Sequence, residues 1–158
     1  MTPQAEEIKA TRSESRMSDG VRAIVSLGSN IEPRREYLAR AVAALSEMPQ
    51  TRLIAASSIH ETVGVDVPEE YADMQFLNQA AVFETRLDPR EFSRRMHQIE
   101  DALGRVRTVK NGPRTIDIDL IMFGEVTMNT PELTLPHPRA AERDFVTVPL
   151  GELGITIG

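Results

Sequence analysis

Apolar and polar residues alternate along this chain at two periods, and the changes of period mark its elements. Val21 to Leu27 is rich in β-branched and small apolar residues and predicts a first strand. Gly28-Ser29-Asn30 predicts its end, with the polar pair able to cap the next element. Leu38, Val42, Leu45 and Met48 then recur at helical spacing, so a helix is expected over 33–48, with Pro33 in its first turn. Pro49-Gln50 breaks it, and Arg52 to Thr62 reads as a second strand. A long loop over 63–74 leads to a third strand, Gln75 to Thr85, with Phe76, Asn78, Ala80 and Val82 on one face.

Asp88, Pro89 and Glu91 form the start signal of a second helix, with a buried stripe of Phe92, Met96, Ile99 and Leu103 and a stop at Gly104. A loop and a fourth strand, Thr115 to Phe123, come next. Gly124-Glu125 predicts a hairpin turn into a short strand, Val126 to Met128, and a short helical stretch is expected around Arg143 and Phe145. The order strand, helix, strand, strand, helix, strand predicts an α+β fold with a ferredoxin-like βαββαβ core. Its sheet should be mostly antiparallel, with the helices packed on one face.

Composition narrows the class. The 158 residues suit one domain, expected over 21–158 behind a polar, charged leader over 1–20 that reads as disordered. The net charge of −6 argues against nucleic acid as a partner. No cysteine is present, which removes thiolate chemistry and makes a cytoplasmic location the default. No apolar run is long enough for a membrane span. Nothing sets the oligomeric state, and a monomer is the default expectation.

The candidate chemistry lies in Gly112-Pro113-Arg114-Thr115-Ile116-Asp117-Ile118-Asp119-Leu120. On a strand, Asp117 and Asp119 project from one face roughly 6.5 to 7 Å apart, with Ile116, Ile118 and Leu120 on the other. Such a pair suits a hard cation such as magnesium, or two of them. Arg105, Arg107, Lys110 and Arg114 precede it without an intervening acid. A cationic loop running into paired carboxylates describes a site for a polyanion that carries its own metal, such as a nucleoside triphosphate. Any half-exposed strand shows the same alternation, so the weight falls on the combination. Asn78, polar beside an aromatic, reads on its own first as a partly exposed strand end, and His137 between prolines reads as a rigid contact or a plain turn.

The stretch from Lys110 to Ile121 resembles the signature of the 6-hydroxymethyl-7,8-dihydropterin pyrophosphokinases of folate biosynthesis. So do Ser26 to Asn30, Phe76 to Ala81, Ile99-Glu100 with Gly104 to Arg107, Pro136 to Arg139 and Arg143 to Phe145, in that family's order. The resemblance covers about residues 21–151. It implies an ATP- and magnesium-dependent transferase that moves pyrophosphate from ATP to the pterin hydroxymethyl group and releases AMP. Two Mg2+ ions would be held by Asp117 and Asp119, with Arg105 and Arg114 joining them in catalysis. Phe76 and Phe145 would sandwich the pterin, Asn78 would hydrogen-bond it, and Thr62, in the loop after the second strand, would contact it. Glu100, Arg105, Arg107, Arg114, Leu120, His137 and Arg143 would meet ATP or line its site.

This chain departs from the family at Asn111, where many members carry an aromatic residue that helps cover the site. It also ends soon after Leu150, where many continue. Three rival readings remain. A catalytically inactive member of the family is supported only by Asn111 and the short tail, since all the matched charged positions are present. The other two share the fold's element order. An RNA recognition motif would need a basic-glycine-aromatic run in its third strand, which Phe76 to Phe83 lacks. A non-catalytic ligand-binding domain would explain neither the acidic pair nor the cations before it.

Overall fold

A computed structural model of the chain describes residues 20–63, 69, 75–104 and 115–157. The elements run β1 (Val21–Ser29), α1 (Arg34–Ser46), β2 (Thr51–Ala56), β3 (His60–Val63), β4 (Gln75–Thr85), α2 (Pro89–Ala102), β5 (Asp117–Phe123), β6 (Met128–Asn129), β7 (Thr134–Leu135), a 3-10 turn (Ala140–Glu142) and α3 (Asp144–Glu152). The leader expected over 1–20 lies outside the described residues except for Gly20. Among those described, no helix is long and apolar enough to cross a membrane.

The main sheet has the order β2-β4-β1-β5, with β3 also on β4, and every pairing is antiparallel. β1 and β2 are joined through α1 with β4 between them, and β4 and β5 through α2 with β1 between them. That is the split βαβ arrangement expected of a ferredoxin-like core.

Odd-numbered residues of β1 and β4 face the helices. Ala23, Val25, Leu27, Leu77, Ala81 and Phe83 pack with Leu38, Ala41 and Leu45 of α1 and with Phe92 and Met96 of α2. Phe92 sits at the centre, its ring 6.5 Å from Phe83 and 5.8 Å, edge-on, from Phe123. α2 starts as expected: Asp88 accepts from the Glu91 N–H at 2.9 Å and Pro89 occupies the first turn.

Several expectations need correction. The second strand is two strands. At the break, Ser57 N–H donates to Ala80 O and Ser57 Oγ accepts from Ala80 N–H, both at 2.9 Å, so a hydroxyl takes over part of the ladder. Thr62 therefore lies in β3, opposite Phe76, and not in a loop. Gly28 and Ser29 belong to β1, and α1 is capped by the backbone of Pro33 with no side-chain cap. The turn at Gly124 leads away from β5, and the two-residue β6 pairs with β7. Finally, helices cover both faces. α3 runs through Pro149 and packs Val146 and Leu150 against Ala80 and Ile121 on the side opposite α1 and α2.

A register shift beside Ile24 and Val25 places a bulge in β5 at Ile121. It turns Ile121 toward α3 while Leu120 and Phe123 both enter the helix-side core. α3 thereby gains a seat on the lower half of that face, and the upper half carries the polar residues.

Candidate active site

Directly opposed residues in antiparallel strands share a face. The register aligns His60, Asn78, Gly28 and Asp117 in one row across β3, β4, β1 and β5, on the face away from α1 and α2. The next row toward α3 holds Ala80, Ser26 and Asp119. Asn78 and Asp117 are two strands apart, roughly 9.5 Å at normal strand spacing. The fold thus brings together residues 39 positions apart in sequence, and both aspartates leave the same face, as the alternation predicts.

Gly28 forms the floor between them. A methyl group built there would lie 3.3 Å from Asn78 Oδ1 and 3.8 Å from the Phe76 ring. Phe76 and Asn78 therefore lean over a bare stretch of backbone, a surface suited to a flat ring. Asn78 is 3 % exposed, and its Nδ2 donates to Thr62 Oγ1 at 2.6 Å. That bond fixes the amide so that Oδ1 points over Gly28 and can accept from a ligand N–H.

Phe145 stands in the first turn of α3, half-buried against the apolar patch of the same face. The guanidinium of Arg143 lies 5.6 Å from its ring centre, within cation–π range. Arg143 Nε is buried with no hydrogen-bond partner among the described residues. A buried guanidinium N–H without an acceptor costs free energy, and a phosphate oxygen would remove that cost. Ser58 and His60 clasp the far end of α3: Glu152 accepts from Ser58 N–H at 2.8 Å, Ser58 Oγ–H at 2.7 Å and His60 Nε2 at 2.9 Å. These bonds hold the Glu152 carboxyl down at about 2. One helix thus ties Phe145 to the strand that carries Thr62.

His137 closes the other side. Its N–H donates to Ile121 O at 2.9 Å, and its Nδ1 accepts from Arg139 N–H at 3.3 Å. Burial, then the neighbouring Arg143, lowers its pKa; Asp117 opposes the shift and Arg139 adds to it. The ring is therefore neutral at pH 7, and with Nδ1 accepting, its proton sits on Nε2 as a donor.

Beside it a cavity of about 240 Å³ opens between α2, β5 and residues 131–138. Met96, Ile118 and Leu120 give it apolar walls, and Asp119 and His137 give it polar ones. Leu120 is otherwise part of the core. A second cleft of about 410 Å³ is lined by Asn30, Glu32, Arg34, Glu61 and Gln75. Arg34 bridges it, bonding Glu61 at 2.9 Å and Gln75 O at 3.1 Å.

Glu100 does not line either space. It is 1 % exposed, accepting from Ile118 N–H at 2.6 Å and bonding His97 Nδ1 at 2.8 Å. Arg105, Arg107, Lys110, Asn111 and Arg114, and most of the 63–74 loop, lie outside the described residues. Among the described residues no cluster of three or more His, Asp or Glu forms a closed metal site. An open carboxylate pair still fits magnesium, which commonly takes one or two carboxylates and completes its shell with phosphate oxygens and water.

The structure places Asp117, Asp119, Asn78, Phe76, Phe145, Arg143 and His137, all named from the sequence, around this sheet face. Sequence reasoning missed Gly28 as floor, the Glu152 clasp and the burial of Glu100. Only Gly28 left a readable signal, a glycine inside a strand, which marks close approach of another group.

The 7,8-dihydro-6-hydroxymethylpterin-pyrophosphokinase family model matches residues 24–154. The chain is 44% identical over 132 residues to a 2-amino-4-hydroxy-6-hydroxymethyldihydropteridine pyrophosphokinase of Bacillus subtilis, covering 83% of this chain and 77% of that one. The Pseudomonas aeruginosa enzyme of the same name is 38% identical over 133 residues, covering 84% and 80%. A crystal structure of Plasmodium falciparum HPPK-DHPS with pteroate superposes with a TM-score of 0.65 at 16% identity, over 88% of this chain and 40% of that one, and shares the fold. With most of its length matched by the family model and by these relatives, the chain belongs to the 7,8-dihydro-6-hydroxymethylpterin-pyrophosphokinase family.

Proposed function

We propose that this chain transfers the pyrophosphoryl group of ATP to the hydroxymethyl group of 6-hydroxymethyl-7,8-dihydropterin, releasing AMP, at the sheet face that carries Asn78, Gly28 and Asp117. The observation that carries the reading is that row. A ring acceptor site and a carboxylate sit on one rigid sheet roughly two strand spacings apart. The pterin lies over Gly28, where Phe76 and Phe145 contact its faces and Asn78 Oδ1 accepts from its N–H groups. The nucleotide base occupies the cavity walled by Met96 and Leu120, so its phosphates run past Asp119 and His137 toward Asp117.

Asp117 and Asp119 are the residues that would hold magnesium together with those phosphates. When bound, the metal neutralises charge on the phosphate oxygens and lowers the pKa of the attacking alcohol. The pterin hydroxyl oxygen forms a bond to the β-phosphorus as the bond from that phosphorus to the α–β bridging oxygen breaks, and the electron pair leaves with AMP. One of the two aspartates takes the alcohol proton. His137 Nε2–H and the Arg143 guanidinium donate to phosphate oxygens, and Arg105, Arg107 and Arg114 add positive charge for the same group.

Product analysis tests the reaction. Protein, ATP, Mg2+ and the pterin should give AMP and a diphosphorylated pterin in equal amounts, and AMP should not form without the pterin. ADP as the product would mean that the γ-phosphorus is attacked and would overturn the assignment.

A further inference from the structure

We propose that Glu100 is a positioning residue for the acidic pair: its buried carboxylate grips the backbone N–H of Ile118, the residue between Asp117 and Asp119. The inference rests on the reading of that pair as metal ligands. Among the described residues, β5 lies at the edge of the main sheet, and its one strand neighbour there is β1. On such a strand every second backbone N–H points away from the sheet and lacks a strand partner. Ile118 N–H is one of these, and α2 supplies its acceptor, Glu100 Oε2 at 2.6 Å.

The placement matters because Ile118 is flanked by both aspartates. Rotation of its amide about the strand axis would swing the two carboxylates relative to each other, and a β-bulge at Ile121 already loosens the strand three residues on. A hydrogen bond to an ionised acceptor is shorter and stronger than a neutral one, which suits a pin at this point.

The anchor is rigid in its own right. Glu100 is 1 % exposed, sits in a helix whose Phe92 and Met96 are core residues, and has its second oxygen held by His97 Nδ1 at 2.8 Å. Burying a carboxylate is costly unless it is hydrogen-bonded, and here each oxygen of Glu100 has a partner. α2 thus ties the helix layer to the metal ligands on the opposite face, through the strand itself.

The test compares Glu100→Ala, Glu100→Asp and Glu100→Gln with the unaltered protein. Mn2+ binding is read by electron paramagnetic resonance in the presence of a non-hydrolysable ATP analogue, and the Ile118 amide by NMR. Glu100→Ala should weaken metal binding about tenfold or more, the effect typical of losing a group that orients a metal ligand. kcat should fall with it, while the KM for the pterin stays within about twofold of the original value, since kcat and KM separate transition-state from uniform binding. The Ile118 amide proton should move upfield and exchange faster.

Glu100→Asp, one methylene short, should behave like Glu100→Ala. Glu100→Gln, which can still accept from Ile118, should recover most of the metal affinity. If Glu100→Ala does not fold, the Asp and Gln variants carry the same comparison. Metal affinity unchanged in a folded Ala or Asp variant would overturn the proposal, leaving Glu100 with a purely structural role. A loss of nucleotide affinity that persists in EDTA would overturn it too, by making Glu100 a direct nucleotide contact. Failure of the unaltered protein to bind Mn2+ with nucleotide would instead count against the reading of the site, and the Ile118 amide would still report on the hydrogen bond.

Discussion

Replacing Gly28 with alanine adds one methyl group to the floor of the site. That methyl would stand 3.3 Å from Asn78 Oδ1, 3.8 Å from the Phe76 ring and 3.8 Å from Leu77 O. Gly28 is an extended strand residue, not one of the glycines with positive φ, so alanine suits its backbone. The exchange removes unfolded-state freedom, about 0.4–1 kcal/mol in favour of folding. The 3.3 Å contact asks a side-chain oxygen to yield by a few tenths of an ångström and offsets part of this. Net stability should change by less than about 1 kcal/mol, and the Tm by only a few degrees.

Ligand binding should suffer far more. A ring lying over Gly28 is lifted away from Asn78, at a cost of about 1 kcal/mol for the hydrogen bond. It also loses part of its stacking on Phe76, about another 1 kcal/mol. Together about 2 kcal/mol corresponds to a Kd about thirtyfold weaker. Nucleotide affinity should change little, because the methyl meets Asn78 and Phe76, not the cavity beside Asp119. Calorimetric titration of the pterin in the presence of a non-hydrolysable ATP analogue, with a thermal melt of the same sample, measures both effects. A pterin Kd within twofold of the original, at unchanged Tm, would refute the placement of the ring over this glycine.

Phe145→Ala should raise the pterin Kd about tenfold by removing one stacking face, and a Kd unchanged in calorimetry would exclude it from the sandwich. Phe92→Ala empties the centre of the aromatic cluster and should cost about 3–5 kcal/mol in urea unfolding; a loss under about 1 kcal/mol would show that the cluster closes up. Glu152 titrates below the ordinary 4.5, at about 2, when folded. A depressed carboxylate stabilises the fold above its unfolded pKa and loses that contribution as pH falls through the folded one. The stability gap between the original protein and Glu152→Ala should therefore be widest above pH 4.5 and narrow toward pH 2. A gap independent of pH across that range would mean the clasp on Ser58 and His60 is not ionic.

The core and the acidic pair were legible because both rest on period. Ile116, Ile118 and Leu120 face α1 and α2 and the aspartates face away, as a two-residue repeat requires. What was not legible depends on contacts between distant residues or on elements too short to show a period. Ser57 breaks the second strand by lending its hydroxyl to Ala80, and nothing local distinguishes it from any polar strand residue. β6 and β7 have two residues each, below the length at which alternation can be read. α3 contains Pro149, which usually signals an end to a helix, and its burial against Ile121 depends on a bulge in β5. Glu100 reads as one more charged helix residue until the fold brings Ile118 N–H to 2.6 Å from it.

In the proposed function, one sheet face holds the pterin at Asn78 and the metal–nucleotide at Asp117. Pterin-dependent AMP release by Asp117→Asn, with pterin binding measured on the same preparation, tests it most directly. The account predicts that turnover falls by about a hundredfold or more, as expected when a charge-stabilising group is lost. Pterin affinity should stay within about threefold, about 0.7 kcal/mol. Near-normal AMP release by that variant would contradict the account.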